Sequence, residues 1–343
     1  MLRLNPPKRV IIAFIIVLLS GLVPVHGQAI ITQLETAKMI DREIKSGESQ
    51  LYQITLAEGA YLNLTVAYQG VAVDVIVKAS SGQLFTERRG GVDTLDSTEI
   101  AIITPTADTY QLFVNGRGAG KYKLEVKALR IATELDRQYV AAHRLTQEGN
   151  ALVILRTAES RRQALAKFRE ALPLWRTSGK LRQELETIRL IADTHYVLSE
   201  FRPAMEAAQE LLTKARAAGL RFWELKGLKY VGSLQNSLNN QQEARQILEQ
   251  ALTLARELGE RLEERAILNN LGVTSSALGQ RHTALGYYQQ ALKLARELGD
   301  RTGEAAALRN LAIRYEGIGE PEQALEHYQQ AAALRRKLGA RDL

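Results

Sequence analysis

A multidomain chain, an all-β sandwich followed by an all-α superhelix of stacked helix hairpins, is the fold class that the sequence predicts. Two observations carry this. Residues 28–130 break into short segments of alternating hydrophobicity separated by turn signals, the pattern of half-buried strands. Residues 251–290 and 291–330 repeat one another with 20 of 40 positions identical, and a fixed period of that length means stacked supersecondary units.

The N-terminus comes first. Arg3, Lys8 and Arg9 precede an apolar run from Val10 to Leu19, and Val25-His26-Gly27 offers a site for cleavage. That is the layout of a secretory signal peptide over residues 1–27, its apolar run too short for a typical spanning helix. The alternative is an uncleaved N-terminal anchor. The expected location is outside the cytoplasm, periplasmic or secreted in a bacterium, with no membrane attachment after cleavage. There is no cysteine, which removes disulfides, thiolate chemistry and a lipidated cysteine together. The formal charge of +7 falls to +4 without residues 1–27, and both signs are interspersed along the helices. Such a surface is solvated and is not a nucleic-acid footprint.

Within 28–130 the segments LYQITL, YLNLTVAY, VAVDVIVKA, QLFTER, TEIAIITP, TYQLFVNG and GKYKLEV read as strands. Glu58-Gly59, Ser80-Ser81-Gly82, Gly90-Gly91, Ala107-Asp108 and the Gly116–Gly120 cluster separate them. Valines 71, 73, 75 and 77 share one face, and seven such strands in about a hundred residues make a sandwich. Residues 48–127 resemble the bacterial pre-peptidase C-terminal (PPC-like) domain. The resemblance rests on Gly47-Glu48 leading to Tyr52-Gln53-Ile54-Thr55-Leu56, then Asp74, Ser81-Gly82-Gln83-Leu84, Ala107-Asp108-Thr109-Tyr110 and Gly120-Lys121-Tyr122.

From 131 to 343 the pattern is helical. In the last full block Leu308, Leu311, Ala312 and Tyr315 line one helix and Gly319 ends it. Pro321 then opens a second helix whose apolar face holds Ala324, Leu325, Tyr328, Ala331 and Leu334. The preceding block does the same through Leu268, Leu271, Gly272 and Gly279, then Ala284, Leu285, Tyr288 and Ala291. A small residue in the first helix followed by Ala-x-x-x-Tyr-x-x-Ala in the second resembles the tetratricopeptide (TPR) motif, here with long helices. About five repeats of 40 residues are expected: 171–210, 211–250, 251–290 and 291–330, preceded by an atypical one. In that first unit Gly149 sits three residues out of register with the others, as a capping repeat would. Sandwich and repeats in this order resemble the N-terminal part of bacterial exported proteins that also carry a CHAT domain, a caspase-like Cys/His peptidase module. The cysteine that such a peptidase needs is absent, so the activity does not carry over.

Chemical motifs are weak. Gly118-Ala119-Gly120-Lys121 lacks the first glycine and the Ser/Thr of a phosphate loop and precedes a strand, so it reads as a hairpin turn. Asp93, Asp96 and Glu99 are oxygen ligands on one loop without calcium-loop spacing, and Asp74 is expected in a structural hydrogen bond. Histidines 26, 143, 195, 282 and 327 contain no metal-ligand pair, and His195 falls where a core residue is expected. No GxSxG elbow is present. No catalytic, metal or cofactor site is expected, and the protein is not read as an enzyme.

The function expected is an exported scaffold binding a protein or peptide partner on the concave surface of the repeats, which is built mostly by the first helix of each unit. Equivalent positions there carry Arg189, Lys229, Asn269 and Arg309, with Lys226 one turn before Lys229. Their period aligns them as a ladder of donors for carboxylates or backbone carbonyls of an extended peptide, set against the alternative of plain solvated charges. A second class is the non-catalytic recruiting or regulatory part of a CHAT-type peptidase system. A third makes the sandwich a carbohydrate or cell-surface binder. In the last second helix, Leu325, Tyr328, Ala332 and Leu334 follow the internal pattern, so an open apolar face suited to self-association, a homo-oligomer, is expected there.

Overall fold

The computed structural model describes residues 32–35, 38–69, 71–89 and 97–339. The expected signal peptide and the loop carrying Asp93 and Asp96 lie outside the described residues. The chain divides into two compact units, Met1–Leu129 and Arg130–Leu343.

The first unit is a sandwich of two sheets. One has the order β1-β3-β8-β5-β6, from Thr32–Gln33, Ser49–Leu56, Asp108–Gly116, Val73–Lys78 and Leu84–Arg89. The other runs β2-β9-β4-β7, from Met39–Ile44, Gly120–Ile131, Ala60–Gln69 and Ser97–Ile103. Alternation decides the faces: Val73, Val75 and Val77 are buried, as are Leu112 and Val114 opposite them on β8. Leu62, Leu64, Val66 and Leu124 answer from the second sheet. The seven segments read from the sequence all form strands, and two more join them. β2 escaped the pattern because it is an edge strand. Asp41, Arg42 and Glu43 are consecutive and all exposed, and Arg42, on the same face as the buried Ile40 and Ile44, breaks the alternation, a device by which natural sheets blunt an edge. Asp74 pairs with Arg117 at 3.5 Å, a structural role. Gly118–Lys121 lies where β8 gives way to β9, but those strands belong to different sheets, so the expected hairpin turn is instead a crossover from one sheet to the other.

The second unit is five helix hairpins: α1 (Glu134–Ile154) with α2 (Ala158–Thr177), α3 (Leu181–Val197) with α4 (Phe201–Ala217), α5 (Arg221–Ser237) with α6 (Gln241–Leu258), α7 (Arg261–Ala277) with α8 (Arg281–Leu298), and α9 (Arg301–Gly317) with α10 (Pro321–Gly339). Connections are tight and alike. A residue in the left-handed region follows each helix from α1 to α9, and after α2 to α9 the next N–H returns to the last turn, as Leu220 does to the Ala215 carbonyl at 2.9 Å. Glycine takes that position at 179, 219, 259, 279, 299 and 319, but Arg156, Ser199 and Asn239 hold it in three hairpins with φ of 58°, 61° and 62°.

Packing within each hairpin turns on a small residue against a large one. A Cβ on Gly272 would meet the Tyr288 ring at 2.5 Å, and one on Gly149 would meet Phe168 at 2.4 Å. Gly149 therefore does the work of Gly272 despite its offset. The three-residue difference arises because α2 starts a turn earlier than its counterparts, with the Thr157 side chain accepting from Ser160 N–H. Trp175 fills the base of the first hairpin, fully buried, its Nε1–H donating to Thr146 Oγ1 at 3.1 Å.

Between units a second device recurs, one that the sequence reading missed. Arg176, Arg216, Arg256 and Arg296, each in the last turn of a second helix, donate to Glu184, Glu224, Glu264 and Glu304 in the first turn of the next unit. The distances are 3.0, 2.9, 2.8 and 3.0 Å. The signal was present as an Arg and a Glu eight residues apart, repeating with the period.

Candidate functional site

The inner wall of the array is made by first helices. α3 packs on α5, α5 on α7 and α7 on α9, each in addition to the second helix of its own hairpin. Side chains one turn from the small residues Ala192, Gly232, Gly272 and Ala312 face along this wall. The ladder residues lie here, and the structure shows what each one touches.

On α3, the Arg189 guanidinium grips the Glu186 carboxylate at 2.7 and 2.8 Å and donates to the Tyr230 hydroxyl at 3.2 Å. Tyr230 donates in turn to Asp193 at 3.2 Å. On α5, Lys226 and Lys229 converge on Glu263 from the first turn of α7, Lys229 at 2.7 Å. These groups are sheltered, with Arg189, Lys226, Lys229 and Glu263 side chains 22, 18, 19 and 13% exposed. Their protonation follows. Burial would lower Arg189, but Glu186 and Tyr230 outweigh it and hold the guanidinium firmly charged. Burial depresses the Lys229 ammonium against the pull of Glu263. Burial raises Glu263, yet the two lysines overcome it and leave its carboxyl below the ordinary range.

Further along, the wall loses its charges. The Asn310 amide donates to Asn269 Oδ1 at 2.8 Å, Asn270 to Ser233 Oγ at 2.7 Å and Asn236 to Thr274 Oγ1 at 2.7 Å. Val273 stands between them, 42% exposed. Arg309 is exposed and has no ion-pair or hydrogen-bond partner among the described residues. The structure thus joins Lys226 to Lys229 through Glu263 and places Asn269 and Arg309 apart from them, in a stretch whose side-chain hydrogen bonds run between uncharged groups. Glu263, Tyr230 and the asparagines at 236, 270 and 310 were not singled out from the sequence.

The self-association candidates divide. Leu325 and Tyr328 are 58% and 36% exposed, whereas Ala332 and Leu334 are half-buried and Leu334 packs on the core. Three of the histidines have local ring or hydrogen-bond contacts. His195 is buried between Glu200 at 2.6 Å and Arg169 at 3.1 Å, His143 meets Tyr139 and Trp175 edge-on, and His327 stacks on Tyr315. Among the described residues no group of three or more His, Cys, Asp or Glu is placed to hold a metal ion, and Glu99 accepts from Asn63 at 2.7 Å. No helix among them is long and apolar enough to cross a membrane.

Comparison with known proteins agrees with this geometry. A tetratricopeptide-repeat model matches residues 263–337 and a second matches 231–258, so the helical unit carries tetratricopeptide repeats. No curated protein sequence matches the chain. Among solved structures it is similar to a Rap protein complexed with competence and sporulation factor, at 19% identity and TM-score 0.51, covering 59% of this chain and 55% of that one. It is similar as well to the Rap conjugation gene regulator of the plasmid pLS20 in complex with the Phr* peptide, at 15% identity and TM-score 0.52, covering 60% and 56%. BtubC from P. vanneervenii matches at 16% identity and TM-score 0.43, over 61% of this chain and 93% of that one. The chain spans little more than half the length of the two Rap proteins, and the likeness is one of fold.

Proposed function

We propose that this chain is an exported, non-catalytic scaffold that holds an extended segment of a protein or peptide partner against the inner wall of its tetratricopeptide array. One observation carries the reading. Successive first helices carry polar donors at equivalent positions, Arg189, Lys229, Asn269 and Arg309, with Lys226 one turn before Lys229, along a wall that also leaves Val273 open to solvent. Repetition along a groove is what an extended chain can use, because it offers its own polar groups at regular intervals. Two Rap proteins that share the fold were solved with competence and sporulation factor and with the Phr* peptide, respectively, which is consistent with this use of the groove.

The test is a groove-filling variant. Val273→Trp places an indole where the side chain is already exposed, so the melting temperature is expected to hold while binding to a selected peptide falls by a factor of ten or more. Undiminished binding by the folded variant refutes the groove. Export is tested separately: protein recovered from the envelope fraction should begin near Gln28, and an intact Met1 in the membrane fraction favours an anchor.

A second reading, recruitment for a CHAT-type peptidase, draws on the PPC-like residues between Gly47 and Tyr122, which the structure places in a sandwich ahead of the repeats. A neighbouring reading frame encoding such a peptidase, and its capture by the purified chain, would favour it. The exposed Leu325 and Tyr328 belong to a further proposal, self-association through α10.

A further inference from the structure

We infer that the groove selects an uncharged segment, read through backbone carbonyls and apolar side chains, and turns acidic segments away. This deepens the peptide-binding reading above and rests on it. A ladder of cations suits two kinds of acceptor, carboxylates and carbonyls, and the arrangement of the wall separates them.

Three of the five ladder residues are cations on α3 and α5, and all three are already paired inside the wall. Arg189 is held by Glu186 and, through Tyr230, sits beside Asp193. Lys226 and Lys229 share Glu263. Three cations thus face three carboxylates, and Arg189, Lys226, Lys229 and Glu263 are mostly withdrawn from water. An incoming carboxylate finds no cation to itself. To reach Lys229 it must displace Glu263, itself sheltered, and leave that carboxylate without its partners; removing one side of a sheltered pair is costly. Until it does so it meets Glu186, Asp193 and Glu263 as like charges, and like-charge juxtaposition is how interfaces exclude wrong partners.

The next stretch of wall offers what remains. Asn269 uses its Oδ1 to accept from Asn310 and has no acceptor for its own amide N–H groups among the described residues. Its carboxamide is therefore oriented with donors outward, the group a backbone carbonyl needs. Val273 beside it is 42% exposed, an apolar contact for a side chain. Arg309 is the exception, exposed and unpaired, but it and Glu316 on the same helix are both within electrostatic reach of the Tyr328 hydroxyl, so the local field is mixed. A single solvated guanidinium adds little.

The probe is an array of random dodecapeptides blocked at both ends, incubated with the full chain, followed by solution binding of the strongest sequences. Peptides lacking Asp and Glu are expected to dominate. Their Kd should change by less than about threefold between 50 and 500 mM NaCl, since no unsatisfied charge is engaged for salt to screen. Replacing one central residue of a bound peptide by Asp should weaken it tenfold or more. Glu263→Gln frees both lysines and should move the selection toward acidic peptides. Acidic peptides dominating the wild-type selection, a salt effect of tenfold or more, or a folded Glu263→Gln chain with unchanged preference would each overturn the inference. The salt series on the wild-type chain decides it even if the variant does not fold. Absence of any bound peptide, or binding undiminished by Val273→Trp, overturns instead the reading on which the inference rests.

Discussion

Gly272→Ala is the sharpest probe of how the hairpins close. The added methyl would lie 2.5, 2.6 and 2.8 Å from three ring carbons of Tyr288, which is itself 3% exposed in the core. Ordinary contact needs the ring to retreat by roughly 1 Å, and overpacking of that kind costs about 1–3 kcal/mol in a close-packed interior. Against this, alanine in a helix interior is favoured over glycine by about 1 kcal/mol. The net expectation is a loss of about 1 kcal/mol, read as a lower urea midpoint with unchanged slope. The decisive comparison is the same substitution in a Tyr288→Ala background. There the three ring carbons that the methyl would meet are gone, the helix preference dominates, and Gly272→Ala becomes stabilising by about 1 kcal/mol. The equivalent pair in the α3–α4 hairpin, Ala192 and Ala208, both fully buried in one cluster, shows that small on small is a packing the array accepts. A Gly272→Ala effect of the same sign in both backgrounds would refute the account of hairpin closure.

Three further outcomes are expected. Glu304 is 9% exposed and accepts from Arg296 and Arg301, so Glu304→Gln should cost about 3 kcal/mol in chemical denaturation. The same change at Glu224, 25% exposed with Arg216 as its partner, should cost about 1 kcal/mol or less; equal costs would mean the bridges do not follow burial. Burial raises the Asp136 carboxyl, but Arg130 and Thr133 bring it down to about 2, below its ordinary value. A depressed carboxylate stabilises above its unfolded pKa, so this contribution should be intact above about pH 4 and vanish as pH falls through about 2. A pH melt of Asp136→Asn that tracks the wild type through that window would contradict it. Self-association through α10 predicts a sedimentation coefficient that rises with concentration and stops rising in Tyr328→Glu; a wild-type chain that stays monomeric sinks it.

Much of the array was legible because its governing features are themselves sequence features. Gly279 and Gly319 mark turns, and Gly272 beside Tyr288 in register announces a close approach. The turns at Ser199 and Asn239 reach the same backbone angles without glycine, so only the period locates them. The sandwich was legible where one face is buried, and β2 was lost because an edge strand keeps its charges. The groove positions followed from the period of 40, but their partners did not. Glu263 reaches Lys226 and Lys229 from a position that holds Gln183, Trp223 and Gly303 in the other units, so nothing in the repeat forecasts it. A side chain that departs from the consensus of its own repeat carries information that periodicity averages away.

The Arg–Glu bridges between units have a consequence for how such an array changes length. Each joins residues eight apart, and the pair recurs every 40 residues, so the join is written identically at four seams. Excising 221–260 would bring Glu264 to the place Glu224 holds relative to Arg216, and duplicating the same block would set the bridge twice. Splices of whole units leave every seam intact, whereas a deletion of another size that crosses one seam changes the eight-residue spacing and moves a guanidinium off its carboxylate. The bridges act as an indexing mark. They let the number of units be edited freely and the phase between them not at all.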